Sequence, residues 1–383
     1  MDFHLFMYAT IGRRHELEAG MAGQRPELYQ RMLEEIAEYV RFADGAGFAG
    51  FGHPEHHLQI EGFEISNEPG LLSMWIGQHS TRLRVNTVGW VAPTHNPVRT
   101  AEYAATLDHM LKGRLGVGFV RGYQARWVHN FRIRPDIDAV GPWNQRTPED
   151  DGNRDYFKEF VEIVLLAWQK ETFSYQGKYW TIPPADMVNP HVHPVYVKYG
   201  KGVGSDMRIH EIGIAPKPLQ QPHPPLYGGF THSLRTALFW AKYAGRPIVL
   251  SSDLEFCQKL WAAYREEAAR HGHHIRPGDE AGWGGLLVLA DTTATAKEWA
   301  QDMLWFWDSW SKPFGQDYPE LLIGDPDTVS RRIEAALRAV PFNECFLLIP
   351  QGIHDRDQIL KSLELFATKV MPRFSTRIPS PRE

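Results

Sequence analysis

The chain has 383 residues, 43% of them hydrophobic, and a net charge of −5. That apolar content can bury a large core, either as one barrel with insertions or as two or three smaller domains. The slightly acidic balance, with no long basic run, argues against nucleic-acid binding through a broad cationic surface, and no apolar run approaches the ~18 residues that span a membrane.

Cys257 and Cys345 lie far apart in apolar contexts and read as core thiols rather than a disulfide framework. The opening MDFHLF lacks a basic stretch and a long apolar run, so no signal peptide is expected and a cytoplasmic location follows as an expectation. The 13 tryptophans fit either an aromatic core or a site for a flat or apolar ligand.

Residues 3–9 read as a short buried strand. The spacing of Leu28, Met32, Leu33, Ile36, Val40 and Phe42 predicts a helix over 27–46, ended by Gly45 and Gly47. A strand over 48–52 runs into PEHH, and 66–80 holds a second apolar helix. The most telling stretch follows, RLRVNTVGWVAPTHNPVRTAEYAATLDHMLKGRLGVGFVRG at 82–122. It reads as a strand over 83–92, a helix over 98–111 and a strand over 114–120. Such a unit demands a crossover and so a parallel pair. Its conspicuous polar residues, Thr94, His95, Asn96 and Arg121, gather where the strands end, the edge at which parallel α/β proteins bind ligands.

Residues 123–152 are polar and loop-like, which in a compact domain marks a functional or mobile segment. A helix is predicted over 154–169, and 172–225 is an irregular insertion with one or two hairpins. Regularity resumes with strands at 226–228, 247–251, 283–290 and 345–349 and helices at 233–243, 254–271, 292–309, 325–340 and 355–370. Eight strands alternating with helices, without internal repeats, predict an α/β fold: a closed (β/α)8 TIM barrel with insertions after strand 4 and before strand 5. Residues 1–374 form one domain in this reading, and the Ser/Pro-rich 375–383 a disordered tail.

Several groups could carry chemistry. Glu55-His56-His57 follows the second strand; an imidazole there can act as acid or base, and Glu55 could orient one. Neighbours on a strand face opposite sides, so one of the two histidines faces the site. A metal held by His53 with His56 or His57, and His4, matches no standard ligand spacing, so no metal is expected; the plain alternative is a hydrogen-bonded structural pair. Arg121, after the fourth strand, suits a phosphate or another anion, or forms a rim ion pair. Gly116, Gly118 and Gly122 have the wrong spacing for a dinucleotide fingerprint. Gly228-Gly229-Phe230-Thr231-His232-Ser233 joins a strand to a helix, as a phosphate loop or an ordinary capped start. Ser251-Ser252 could reach the same ligand or cap the next helix, for which Asp253 is the better cap. The HGHH run at 271–274 reads as surface. No hydrolase motif is present.

Together these residues resemble the bacterial luciferase-like flavin monooxygenase superfamily. The resemblance rests on PEHH at 54–57, the block at 86–122, PPLYGG at 224–229, RPIVLS at 246–251, GDPDTVSRRI at 324–333 and SLELFATKVMPRF at 362–374. It implies a (β/α)8 barrel that binds reduced FMN (FMNH2) from a separate flavin reductase, forms a C4a-peroxyflavin with O2 and oxygenates a small organic substrate. It implies a homodimer as well. By motif, His56 falls on the catalytic histidine, with His57 and Glu55 beside it. Val88-Gly89 falls where the family has a non-proline cis bond under the flavin ring. Arg121 falls on the phosphate-binding arginine, Gly229, Phe230, Thr231 and Ser233 on the phosphate loop, and Ser251 on the serine at the next strand end. Val120 stands where luciferase has a reactive cysteine, Asn96 replaces a histidine, and 123–152 and 172–225 differ, which points away from light emission and an aliphatic aldehyde. The alternatives are an F420-dependent oxidoreductase of the same fold and a non-catalytic flavin-binding partner subunit.

Overall fold

The computed structural model describes residues 1–374 except 141–146, 186–193, 205, 207 and 232 and the side chain of 280. The tail at 375–383 and His232 of the glycine-rich loop therefore lie outside the described residues.

The strands are β1 (Asp2–Phe6), β2 (Gly50–His53), β3 (Arg84–Val91), β4 (Leu115–Val120), β5 (Tyr175–Gln176), β6 (Thr181–Ile182), β7 (Leu226–Gly228), β8 (Arg246–Val249), β9 (Gly278–Leu289), β10 (Glu320–Gly324) and β11 (Phe342–Leu348). Nine of them share one sheet in the order β10-β9-β11-β1-β2-β3-β4-β7-β8, and β8 also pairs with β9. That last pairing closes eight strands into a parallel barrel and leaves β10 attached to β9 outside the closure. The eight barrel strands are the eight read from the sequence. β10 was not anticipated: ELLIG is short and half-exposed at its start, and a five-residue run next to a strong helix signal gives little period to read.

Residue contacts gather in two units, Met1–Gly89 with Gly116–Gly118 and Pro225 onward, and Trp90–Leu115 with Phe119–Pro224. In the first, the helix Pro26–Ala46 buries Leu28, Met32, Ile36, Val40 and Ala43, a stripe at three- and four-residue spacing. Each larger apolar side chain of that stripe contributes about 1.5–3 kcal/mol by leaving water. Pro26 opens this helix and Gly47 closes it in the left-handed conformation, φ 90°. At the N-terminal ends of the strands His4 stacks on Phe346 with ring centroids 4.7 Å apart, and Asn86 Nδ2 donates to His4 Nδ1 at 3.0 Å. Glycine on the adjoining strands makes this possible: a Cβ on Gly50 would lie 2.5 Å from His4 Nδ1, and one on Gly116 2.3 Å from Asn86 Oδ1. Arg246 pairs with Glu344, and Arg84 donates to the Tyr227 hydroxyl at 3.3 Å.

In the second unit, the helix Pro97–Met110 is capped by Asn96, whose Oδ1 accepts from Val98 N at 3.0 Å and Arg99 N at 3.1 Å. Asparagine at this departure from the family pattern thus has a local role. Trp168 of the helix Pro148–Gln169 donates to Ala101 O at 2.9 Å, and Phe119 stacks on Trp90 and meets Phe160 edge-on. That helix starts six residues before the expected position. Thr147 caps it, Pro148 occupies its first turn, and Glu149, Asp150 and Asp151 suit its positive end, so the signals were present in a stretch read as loop. A second unanticipated helix, Ala125–Phe131, buries Trp127 and Val128 with Val91. The insertion has the expected hairpin in β5 and β6, whose turn is held by the Glu159 carboxylate accepting from Lys178 N and Tyr179 N. Antiparallel bridges Phe173–Ile212 and Val203–Ile209 and a short helix Pro194–Tyr199 accompany it. Among the described residues no helix is long and apolar enough to cross a membrane.

Candidate functional site

β2 delivers Pro54, Glu55, His56 and His57 directly past its C-terminal end. His56 is 6% exposed, and its backbone N–H donates to Ser66 O at 3.2 Å. Two acids sort the two histidines. Glu55 Oε1 lies 2.7 Å from His57 Nε2, so the acid read as a possible orienter holds His57. Glu64 Oε2 lies 3.3 Å from His56 Nδ1 and is itself 2% exposed. Glu64 was not singled out in the sequence; the only trace of it was a carboxylate inside the apolar run GFEI. Burial is the largest influence on His56 and pushes its pKa down, while the Glu64 charge opposes that shift. His56 is therefore neutral at neutral pH.

Through Tyr8 this imidazole adjoins an aromatic cluster. Tyr8 lies 6.3 Å from His56 between ring centroids and 6.0 Å from Phe230. Phe230 meets Phe6 edge-on at 4.9 Å, and Phe306, at the end of the helix Thr293–Phe306, stacks on Tyr8 and packs on Phe63. Burial, seconded by the Glu64 charge, holds the Tyr8 phenol protonated far above its ordinary pKa.

His53 and His4 are used structurally. His53 Nδ1 donates to Pro54 O at 3.0 Å, so Nε2 accepts from the Ser73 hydroxyl at 3.0 Å, which in turn accepts from Thr87 at 2.6 Å. Among the described residues no cluster of three His, Cys, Asp or Glu side chains could hold a metal ion. Burial lowers the pKa of His53 to about 4 and those of His4 and His354 to about 3. Each is an ordinary imidazole near 6.5 when unfolded. Below that value the unfolded chain binds more protons than the folded one, so stability present above pH about 6.5 is lost as pH falls toward about 4. The expected result is a melting temperature that declines between about pH 6.5 and pH 5, above the range where ordinary carboxylates titrate. Thermal unfolding across that window checks it, and a flat profile would contradict it.

The Val88–Gly89 peptide in β3 is cis, at the position where the resemblance placed such a bond. At the end of β7, Gly228 packs beneath buried Trp240, where a Cβ would lie 2.4 Å from Cδ1. Gly229 and Phe230 form the turn, with Phe230 left-handed at φ 38°. Thr231 donates its N–H to Ile248 O at 2.7 Å and its hydroxyl to Gly228 O at 3.2 Å. Ser233 caps the helix Leu234–Ala241, accepting from Thr236 N at 3.3 Å. Ser251 Oγ accepts from Asp253 N at 3.1 Å, while Asp253 caps the helix Leu254–Arg270. Of the HGHH run, His271 pairs with Glu267 and His273 bonds to Lys242 O, in keeping with a surface role.

In the other unit Arg121 directly follows β4. Its Nη1 donates to Asp150 Oδ1 at 2.6 Å, and Asn153 Nδ2 donates to Arg121 O at 3.0 Å. The ion-pair alternative is thus realised, with a partner supplied by the first turn of the helix Pro148–Gln169. A guanidinium carries five N–H donors, so one carboxylate does not exhaust it. Val120, at luciferase's cysteine position, is half-buried against the Val91, Trp127 and Val128 cluster.

Known proteins bear on this arrangement. Residues 1–320 match the family described as luciferase-like monooxygenase. The oxygenase component of a flavin-dependent trigonelline monooxygenase from Acinetobacter baylyi is 24% identical over 52% of this chain, and the match spans 43% of that relative, less than half its length. A 3,6-diketocamphane 1,6-monooxygenase from Pseudomonas putida is 23% identical over 86% of this chain and 90% of its own. A solved type II Baeyer–Villiger monooxygenase, the oxygenating constituent of 3,6-diketocamphane monooxygenase from Pseudomonas putida in complex with FMN, superposes with TM-score 0.68 at 18% identity, covering 97% of this chain and 98% of that one. The superposition speaks for the fold alone, but the match over 1–320 reaches well past half of the 383 residues: the chain belongs to the luciferase-like monooxygenase family.

Proposed function

We propose that this protein is a flavin-dependent monooxygenase that takes FMNH2 from a separate reductase and inserts one atom of O2 into a small organic substrate. The observation that carries the reading is His56, a neutral imidazole beside the Tyr8 ring past the end of β2 in a chain of this family. A relative named as a flavin-dependent monooxygenase and a second monooxygenase relative support it.

Each unit carries groups of a kind that FMN takes: the first a Ser233-capped helix start and the Val88–Gly89 stretch of β3, the second a guanidinium. Arg121, Gly229, Phe230, Thr231, Ser233 and Ser251 are the residues assigned to its phosphate end, and Val88 and Gly89 to its ring. Bound FMNH2 supplies the two electrons with which O2 is split, one oxygen entering the substrate and the other leaving as water. His56 gives or takes a proton at Nε2, the nitrogen that does not face Glu64. Phe63, Phe230 and Tyr8 exclude water and favour a flat or apolar substrate. Glu55 holds His57 in a fixed orientation beside it.

Anaerobic titration with FMNH2, followed by rapid mixing with oxygenated buffer, tests this. The expected result is stoichiometric binding and an absorbing species that outlives the oxidation of free FMNH2. Failure to bind FMNH2, with binding of F420 instead, would replace the reading by a hydride-transferring enzyme. Binding without any change in the course of oxidation would mark a non-catalytic flavin-binding subunit.

A further inference from the structure

We propose that Glu64 is the positioning residue of His56: its carboxylate keeps the imidazole proton on Nδ1 and leaves Nε2 as the atom that exchanges protons. The second half rests on the monooxygenase reading; the first half does not.

A carboxylate 2% exposed needs a charged or hydrogen-bonding partner, because burying it alone is costly. Nδ1 of His56 lies 3.3 Å from Glu64 Oε2, an ion-pair contact longer than the about 2.7–2.9 Å of a well-aligned charge-assisted bond. The segment carrying Glu64 is tied down on both sides. Ile11 N donates to Gly62 O at 2.9 Å, the Thr10 hydroxyl to Phe63 O at 2.6 Å, Ile65 N to Ala9 O at 2.9 Å and His56 N to Ser66 O at 3.2 Å. The backbone thus delivers the carboxylate to one place, fixed by the loop after β1 and by His56 itself.

Among the described residues, the groups acting on His56 include Glu64, Glu55, His57 and the Tyr8 ring. Glu55 lies against His57 at 2.7 Å and the Tyr8 phenol stays protonated, while Glu64 is the carboxylate that faces His56 Nδ1. An anionic carboxylate only accepts hydrogen bonds, so it selects the tautomer with hydrogen on Nδ1. When Nε2 takes a proton, the same charge stabilises the imidazolium that forms, which makes His56 a stronger base than burial alone would leave it.

The test is 15N NMR of the full chain labelled at histidine, with the His56 signals assigned by their loss in His56→Gln. In the wild type the expected signature is hydrogen on Nδ1. In Glu64→Gln, hydrogen shifts toward Nε2 and the protonation midpoint of His56 falls by about one pH unit or more, the size expected for losing an adjacent opposite charge. Glu64→Asp retains the wild-type tautomer. Hydrogen on Nε2 in the wild type overturns the proposal, and it does so even where a variant fails to fold. An unchanged signature and midpoint in a Glu64→Gln protein that melts like the wild type overturns it as well. The two readings fail separately. A shifted His56 signature in a protein that does not bind FMNH2 removes the monooxygenase and keeps the pairing. FMNH2 bound and oxidised with one pH profile in wild type and Glu64→Gln, with the His56 signature unmoved, removes the pairing and keeps the monooxygenase.

Discussion

Replacing His56 by Ala is expected to lower the yield of oxygenated product by about 10²–10⁴-fold, the usual contribution of a positioned acid or base. FMNH2 affinity should survive, because the residues assigned to the phosphate are elsewhere in the chain. On the proposed role of His56 the lost step would be a proton transfer, so the electrons of FMNH2 would still reach O2 and hydrogen peroxide would appear in place of product. The measurement is product and peroxide formed per FMNH2 consumed, with a substrate recovered from a screen of flat and apolar compounds. His57→Ala should cost less: its imidazole is tied to Glu55, and its side chain is 16% exposed against 8% for His56. Full turnover in His56→Ala would assign the activity to another group or another chain.

The barrel was legible because its strands are bounded by strong punctuation and alternate with helices of clear period. Residues 82–122 alone carry strand, capped helix and strand, and each of the three was found within two residues of its limits. What escaped notice was structure whose signal is a cap or a partner rather than a period. The start Thr147-Pro148-Glu149-Asp150 is a helix beginning by its side chains, yet it lies in a polar stretch where apolar spacing says nothing. Ala125–Phe131 is seven residues long, too short for two turns of pattern. The same holds at the site. Glu55, His56 and His57 stand together in sequence, and the structure keeps them together. Glu64 reaches His56 only because the chain between them folds back along residues 9–11, a tertiary event without a local sign. Thr231 and Ser233 carry hydroxyls in a glycine-rich loop, and only the fold shows that Thr231 spends its proton on Gly228 and that Ser233 caps its own helix.

Arg121→Ala is expected to weaken FMN binding by about 10–100-fold, since a hydrogen bond to a charged group is worth about 1.5–3 kcal/mol and each 1.4 kcal/mol is a factor of ten. Riboflavin, which has no phosphate, should bind wild type and variant alike, so fluorescence titration with both ligands separates recognition of the phosphate from damage to the fold. The ion pair makes a second variant informative. Asp150 Oδ1 holds Arg121 Nη1 at 2.6 Å, which orients the guanidinium but also offers it a competing anion. Asp150→Asn keeps a hydrogen-bond acceptor of the same size and removes the charge, so the guanidinium faces an incoming phosphate with its full positive field. FMN affinity should therefore rise in Asp150→Asn while riboflavin affinity stays constant. Asp150 lies in the first turn of the helix Pro148–Gln169, where a carboxylate is also favoured by the positive helix end, so the same change should cost up to about 1 kcal/mol of stability. Tighter phosphate binding at lower stability would show that Asp150 competes with the phosphate for Arg121 while it stabilises the fold. Equal losses of FMN and riboflavin binding in Arg121→Ala would instead assign Arg121 to the rim of the fold.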